Sequence, residues 1–230
     1  MRFFAAFLTV CLWSSNAMAF EGELRATLSS PQGVAAKIRA RYGKDGDVRM
    51  DVQSSDPEGK PVLHTTMMPA KGSHYYTIDH QQKVVVEMPY SALANTSHQV
   101  TGTVENTELE VKKLGKESVS GVETQHVRIF DKDNDTVIDL WLTQKYPPDL
   151  WTRAFRGRHL GLEMSDDERT KAMMKYGIEP GFSMKMRVER AGGVPVVFLV
   201  KEVKRAPVPP TVFELPEGYQ RIQGAAAPRP

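Results

Sequence analysis

From Phe20 the chain alternates with a period of two. Phe20, Gly22, Leu24, Ala26 and Leu28 fall on one side, and Glu21, Glu23, Arg25, Thr27 and Ser29 on the other. That is the pattern of a strand with one buried and one wet face. After Ser30-Pro31-Gln32-Gly33 the alternation resumes as Val34, Ala36, Ile38, Ala40 and Tyr42 against Lys37, Arg39 and Arg41, then turns at Gly43-Lys44-Asp45-Gly46 into Val48, Met50 and Val52. Val62 to Met68, His74 to Ile78 and Val84 to Met88 follow, separated by polar turns at 69–72 and 79–82. Tyr76, Ile78, Val84, Val86 and Met88 are assigned to one inner face. Residues 91–105 carry no clear pattern.

Strands return at Leu109 to Leu114, Val122 to Phe130 and Thr136 to Thr143. Further on, Phe182, Met184, Met186 and Val188 alternate with Ser183, Lys185, Arg187 and Glu189 before Ala191-Gly192-Gly193 turns the chain into Val196 to Val203. Short antiparallel strands in this number point to a sandwich or a barrel, open or closed. One interruption reads as helical. Pro147-Pro148-Asp149 ends a strand, Trp151, Phe155 and Leu162 recur at helical spacing, and Ser165 with Glu168 forms a capping box ahead of Ala172, Met173 and Tyr176. Beyond Pro207-Val208-Pro209-Pro210, Val212 to Leu215 reads as an edge segment, and Gln220 to Pro230 as a disordered tail.

The first nineteen residues follow a different logic. Met1-Arg2 is a positive start, Phe3 to Trp13 an apolar run too short to span a bilayer, and Ala17-Met18-Ala19 a small-x-small site. These are the parts of a signal peptide cleaved after Ala19, which sends the mature chain to the periplasm with no transmembrane span. Leu8-Thr9-Val10-Cys11 invites a lipoprotein reading, but Val10 is bulky before the cysteine and only ten residues precede it, so Cys11 reads as part of the apolar run. Cleavage removes Arg2, one of 30 basic side chains, and the sole cysteine, so no disulfide can form. The domain of residues 20–219 must then be held by burial, which a chain of this length can supply. With 28 acidic side chains against nearly as many basic ones there is no basic field for nucleic acid.

Candidate chemistry is sparse. No zinc-protease His-Glu-x-x-His, phosphate loop, dinucleotide glycine motif or nucleophile elbow occurs, so no catalytic residue and no cofactor is assigned. Ser118-Val119-Ser120-Gly121 lacks the first glycine of an elbow and reads as a turn. Asp131-Lys132-Asp133-Asn134-Asp135 resembles the start of a calcium loop, but Thr136 and Leu142 stand where glycine and glutamate are required, leaving a polar hairpin turn. His64, His74 and His80 lie near Met67 and Met68, yet strand alternation puts Met67 and Met68 on opposite faces, so no metal site is assigned. The methionines suit either a cavity for greasy ligands or ordinary core filling.

Several segments in order resemble a known family: the cleaved signal with an immediate strand, Gly46-Asp47-Val48-Arg49-Met50-Asp51, Tyr76-Thr77-Ile78-Asp79 with Lys83-Val84-Val85-Val86-Glu87-Met88, Ser120-Gly121-Val122-Glu123-Thr124, and Phe213-Glu214-Leu215-Pro216-Glu217-Gly218-Tyr219. Together they resemble an uncharacterised branch of the LolA-like superfamily of periplasmic lipoprotein-carrier-like proteins, over nearly all of residues 20–219. The resemblance implies a mainly β fold with inserted helices, in which a single curved antiparallel sheet, an open and incomplete β-barrel, is covered by a helical lid at about Pro148 to Tyr176. It also implies an apolar trough for acyl chains of lipids or lipoproteins. Tyr76, Ile78, Val86, Leu140, Leu142, Met184 and Met186 are the expected lining, and Trp151, Phe155 and Met173 the expected cover. An acyl chain in water costs about 0.8 kcal/mol per exposed methylene, which is the physical reason for such an escort. The competing expectation is a non-carrier module that docks or senses an envelope protein with a self-filled hollow; no enzyme is expected. Mass spectrometry of protein recovered from the periplasm should show Phe20 as the first residue, and an uncleaved or acylated N-terminus would overturn the export reading.

Overall fold

The computed structural model describes residues 20–91, 109–155 and 174–224. Among them twelve strands form one sheet. They are β1 (Gly22–Ser30), β2 (Gly33–Tyr42), β3 (Val48–Ser55), β4 (Pro61–Met68), β5 (His74–Asp79), β6 (Val84–Pro89), β7 (Leu109–Val119), β8 (Val122–Asp131), β9 (Thr136–Thr143), β10 (Phe182–Arg190), β11 (Val196–Arg205) and β12 (Gln220–Gln223). Their order in space is β12-β6-β5-β4-β3-β2-β1-β11-β10-β9-β8-β7. Two meanders thus run away from the middle. They are joined where β1 pairs antiparallel with β11, from Gly22 opposite Arg205 to Ser29 opposite Val197. Gly22 is required at that seam, because a Cβ there would run into the Lys204 carbonyl oxygen.

Alternation explains the inner face. Register puts Ala26 between Ile38 and Val200, Met50 opposite Ala40, and Met186 between Phe198 and Leu140. These side chains belong to one buried cluster that runs across the sheet from Tyr75 to Val127 and Ile129. The sheet is curled. β10 and β11 pair only over Lys185–Val188 and Val196–Leu199, and just beyond, the Val200 carbonyl accepts a 2.6 Å hydrogen bond from Ser120 Oγ at the tip of the β7–β8 hairpin. Val119 and Val122 of that tip join the same core. Ser120 and Gly121 both have positive φ, 50° and 76°, as a two-residue hairpin turn of the right twist requires. The curl does not close the sheet: β7 and β12 remain its two edges.

The single curved open sheet agrees with the sequence reading. Other expectations need correction. Among the described residues no helical lid is seen. The stretch from about Pro148 to Tyr176 contributes α1 (Leu150–Phe155) and the helical Met174 and Lys175, and residues 156–173 lie outside the described set. The final segment is not a plain edge followed by a disordered tail. Pro210–Phe213 is a 3-10 turn, and Gln220–Gln223 forms β12, parallel to β6, with Gln220 opposite Val84. Prolines 207, 209, 210 and 216 suit a segment that crosses the sheet without joining its ladder, since proline offers no N–H.

That crossing segment seals the outer face of β4 to β6. Phe213, Leu215 and Tyr219 pack on a second cluster of Met67, Ile78 and Val85. Val208 N donates to Glu21 Oε1 at 2.9 Å, and Arg49 Nη1 donates to the Val212 carbonyl at 3.1 Å. Gly43 allows the Phe213 ring to lie close, with a Cβ there only 2.9 Å from it. Beneath lies a polar chain. Tyr219 O–H bonds His80 Nδ1 at 3.1 Å, His80 Nε2 bonds the Thr65 hydroxyl at 2.8 Å, and that hydroxyl donates to Asp51 Oδ1 at 2.6 Å. Arg41 and Arg49 both pair with Asp51. Burial alone would raise the Asp51 carboxyl, but the Thr65 hydroxyl and the two guanidiniums outweigh it and hold the group below its ordinary 3.8.

Because Asp51 is more acidic folded than unfolded, its contribution is complete above about pH 4 and is lost as pH falls through the folded value. Asp51→Asn should cost about 2 kcal/mol at neutral pH and flatten the loss of stability below about pH 4, read by urea unfolding at a series of pH values. An unchanged acid limb would exclude Asp51 as the anchor of this face.

Candidate ligand-binding face

The inner face of β9 and β10 carries a patch of buried apolar side chains. Leu140, Leu142, Met184 and Met186 are buried there, with 2, 5, 1 and 7% of their surface exposed. Trp151 of α1 lies over it, stacked on Phe182 at 5.6 Å and edge-on to Phe198 at 4.4 Å, with its indole N–H donated to the Ser183 carbonyl at 3.0 Å. Leu150 and Ala154 point into the same core. Tyr42, a phenol made less acidic by its burial, donates to the Leu150 carbonyl at 2.8 Å. The helix is placed by a spacing of one turn: Leu150 and Ala154 share the buried side. Three aromatic side chains, Trp151, Phe182 and Phe198, and four flexible or branched ones make a surface that suits an apolar chain; none of these groups can move protons or bind a hard metal ion.

Beside this face lies a cleft of about 590 Å³ between β7, β8, β9 and residues 177–179. Its floor includes Leu142, Val122 and Ile178, all core members, and its walls include Lys113, Lys116 and Lys145. The apolar face therefore runs directly into a basic one. Register explains this, since Lys113 stands opposite Val127 and Lys116 opposite Gln125, on the side of the sheet that Leu140 and Leu142 share.

A family model for a domain of unknown function, DUF4412, matches residues 20–219. The chain belongs to that family. A search of curated proteins finds no match. Solved structures similar to this DUF4412 domain include an uncharacterized conserved protein from Thermus thermophilus, with TM-score 0.44, 8% identity, and 89% of this chain and 91% of that chain covered. Lipoprotein LppX from Mycobacterium tuberculosis has TM-score 0.43, 9% identity and coverages of 82% and 89%. MucB in complex with MucA(peri) has TM-score 0.43, 10% identity and coverages of 90% and 57%. Values of this size do not carry a function across.

The DUF4412 domain does not bring the ten expected site residues together. Leu140, Leu142, Met184 and Met186 share the inner face with the half-buried Trp151. Tyr76 and Ile78 do not: Ile78 stands opposite Val85 and Tyr76 opposite Glu87, on the outer face beneath the C-terminal segment. Val86 faces the other way, opposite Thr77, as Met88 is opposite Tyr75. The Phe155 side chain and Met173 lie outside the described residues. The expected lining leaves out Tyr75, Met68, Phe182 and Phe198, which belong to the face, and the lysines of the cleft. Phe182 and Phe198 were legible from alternation; Tyr75 was not, because Tyr76 beside it is equally apolar.

Other motifs find plain roles. Asp131 caps the β8–β9 turn, its Oδ1 accepting from the Asp133 and Asn134 backbone N–H groups at 3.1 Å. His80 lies in the outer-face chain, its imidazole kept neutral more readily by burial and by the Arg49 charge. Among the described residues no three His, Cys, Asp or Glu side chains converge as metal ligands. The Asp51–Thr65–His80 chain lacks nucleophile geometry, since Thr65 is fully buried and gives its one proton to Asp51. A second outer-face network joins β8 to β9 through Asp139, bound by Arg128 at 2.8 and 3.0 Å and by His126 at 3.1 Å.

Trp151→Ala should destabilise the domain by about 3 kcal/mol, whereas Trp151→Phe, which keeps an aromatic ring and loses the N–H, should cost about 1 kcal/mol. Equal losses in thermal or urea unfolding would show that the hydrogen bond, and not the ring stack, holds α1 on the sheet.

Proposed function

We propose that this DUF4412 domain is an exported periplasmic binding protein whose inner face accepts the acyl chain of a lipid or lipoprotein. One observation carries the reading: a wide apolar sheet face has no second sheet against it among the described residues. A sandwich buries such a face permanently between two sheets, while a face roofed by shorter elements can be uncovered. Met184 and Met186 favour the same reading, since unbranched thioethers repack around partners of changing shape. The export signal and the segments that resemble LolA-like carriers add support. The reading is of binding without catalysis.

Loading requires movement. Leu140, Leu142 and Met184 expose 5% or less, so part of the face must open before a chain can enter. The same burial supports a second reading, in which the hollow is filled by the chain itself and the domain docks a protein of the envelope.

Native mass spectrometry of protein purified from the periplasm separates the two. A retained lipid, together with photo-cross-links from a diazirine fatty acid to residues 136–143 and 182–190, is the expected result. A delipidated sample that binds no fatty-acid probe, or cross-links confined to the outer face, would overturn lipid carriage and leave protein docking.

A further inference from the structure

The basic cleft beside the inner face is not needed to bury an acyl chain. Its lysines also differ in their partners. Lys116 is held by Glu123 at 2.9 Å. Lys113 and Lys145 have no carboxylate partner among the described residues; the Lys145 ammonium lies 5.6 Å from the centre of the Tyr146 ring, and the Lys113 ammonium stands over Gly177. Two cations on the wall of a concave site, with a floor of Leu142, Val122 and Ile178, form an amphipathic pair of surfaces: charge above, core below.

The rim repeats the theme. Leu114 is 46% exposed at the irregularity in β7 between Lys113 and Gly115, and Met174 and Tyr176, just before Gly177, are 63% and 40% exposed. Tyr176 is fixed there by a 2.7 Å hydrogen bond from its hydroxyl to the Leu109 carbonyl. Exposed apolar groups among lysines are the composition by which proteins engage a bilayer surface that carries negative charge. Against its three lysines the cleft sets two carboxylates, Glu123 and Glu179, and Glu123 is already taken by Lys116. Positive charge is therefore in excess where Lys113 and Lys145 stand.

We propose that this cleft is the head-group site of the carrier, and that the ligand is an anionic phospholipid. Its phosphate is held by Lys113 and Lys145, and its acyl chains pass over Leu142 onto the inner face toward Leu140 and Met184. A lysine ammonium is a compact donor of three N–H groups, suited to a phosphate that approaches from several directions. Edge strand β7 lines the cleft through Lys113 and Lys116, so the head-group end of the site lies at the sheet's edge. This assignment rests on the acyl-chain reading of the inner face and adds to it the class of lipid.

The test uses the mature chain and two lipids with identical fluorescent acyl chains, phosphatidylglycerol and neutral diacylglycerol, plus glycerol phosphate as a soluble competitor. Expected is about tenfold preference for the anionic lipid, lost in Lys113→Gln/Lys145→Gln and reduced by added salt, with diacylglycerol binding unchanged in that variant. Both lysines lie on the surface, and an unaltered unfolding midpoint confirms that the variant is folded. Equal binding of the two lipids, or an unaltered preference in the double variant, overturns the head-group site while leaving acyl-chain binding in place. Glycerol phosphate binding as tightly as the lipid would show a site for soluble phosphate esters and overturn the lipid assignment. Binding of none of the three overturns the acyl-chain reading itself.

Discussion

The ladder between β1 and β11 joins residues 22–29 to residues 197–205, and through it two meanders become one sheet. Without that seam, β1 to β6 and β7 to β11 would each expose a long edge and an apolar face narrower than the core now formed. With it, Leu24 meets Val203 and Ala26 meets Val200, and the apolar stripes of the two halves run into each other. The contact is about as distant in sequence as this chain allows, so its closure entropy must be met by the whole of the inner core and not by local turns.

A single sheet of this width has two faces to protect, and the protein treats them differently. The inner face is apolar and continuous. The outer face is divided: the β3 to β6 half is sealed by the proline-rich C-terminal segment over the Asp51, Thr65 and His80 chain, and the β8 to β10 half by ion pairs around Asp139, with Trp141 stacked on His126 at 4.1 Å and Lys185 over its ring. The two buried carboxylates stay because both are paired; Asp51 and Asp139 are held ionised by cations and hydrogen bonds that outweigh their burial. The outer face is thus closed by paired polar groups and a crossing segment, and the inner face by one apolar cluster.

Legibility followed burial on one side or two. β1, β2 and β10 alternate cleanly, and their inner residues Leu24, Ile38, Ala40, Met184 and Met186 were read correctly because their other sides face water or salt bridges. β5 and β6 carry Tyr75 next to Tyr76 and Val84, Val85 and Val86 in a row. Such runs arise when both sides of a strand are covered, and the polar residues present mislead: Thr77 and Asp79 share the parity of Tyr75 and Glu87 that of Val85, so alternation alone turns Tyr76 and Ile78 inward, whereas the register places both beside Glu87 and Val85 on the outer face. The cover on the outer side is Phe213, Leu215 and Tyr219, from the far end of the chain.

The sequence by itself determined where the β1 to β11 strands begin and where their hairpin turns fall, because periodicity and turn residues are local properties; β3 and β7 run on past Val52 and Leu114, to Ser55 and Val119, where pairing with β4 and β8 continues without an alternating pattern. Only the tertiary structure decided which strands are neighbours, that Gln220–Gln223 returns as a parallel edge strand, which side of β5 faces the core, and that Lys113, Lys116 and Lys145 converge beside Leu142. Those outcomes depend on pairings between segments that share no local signal: a strand's alternation states that one side is buried, and only the partner laid against it states by what.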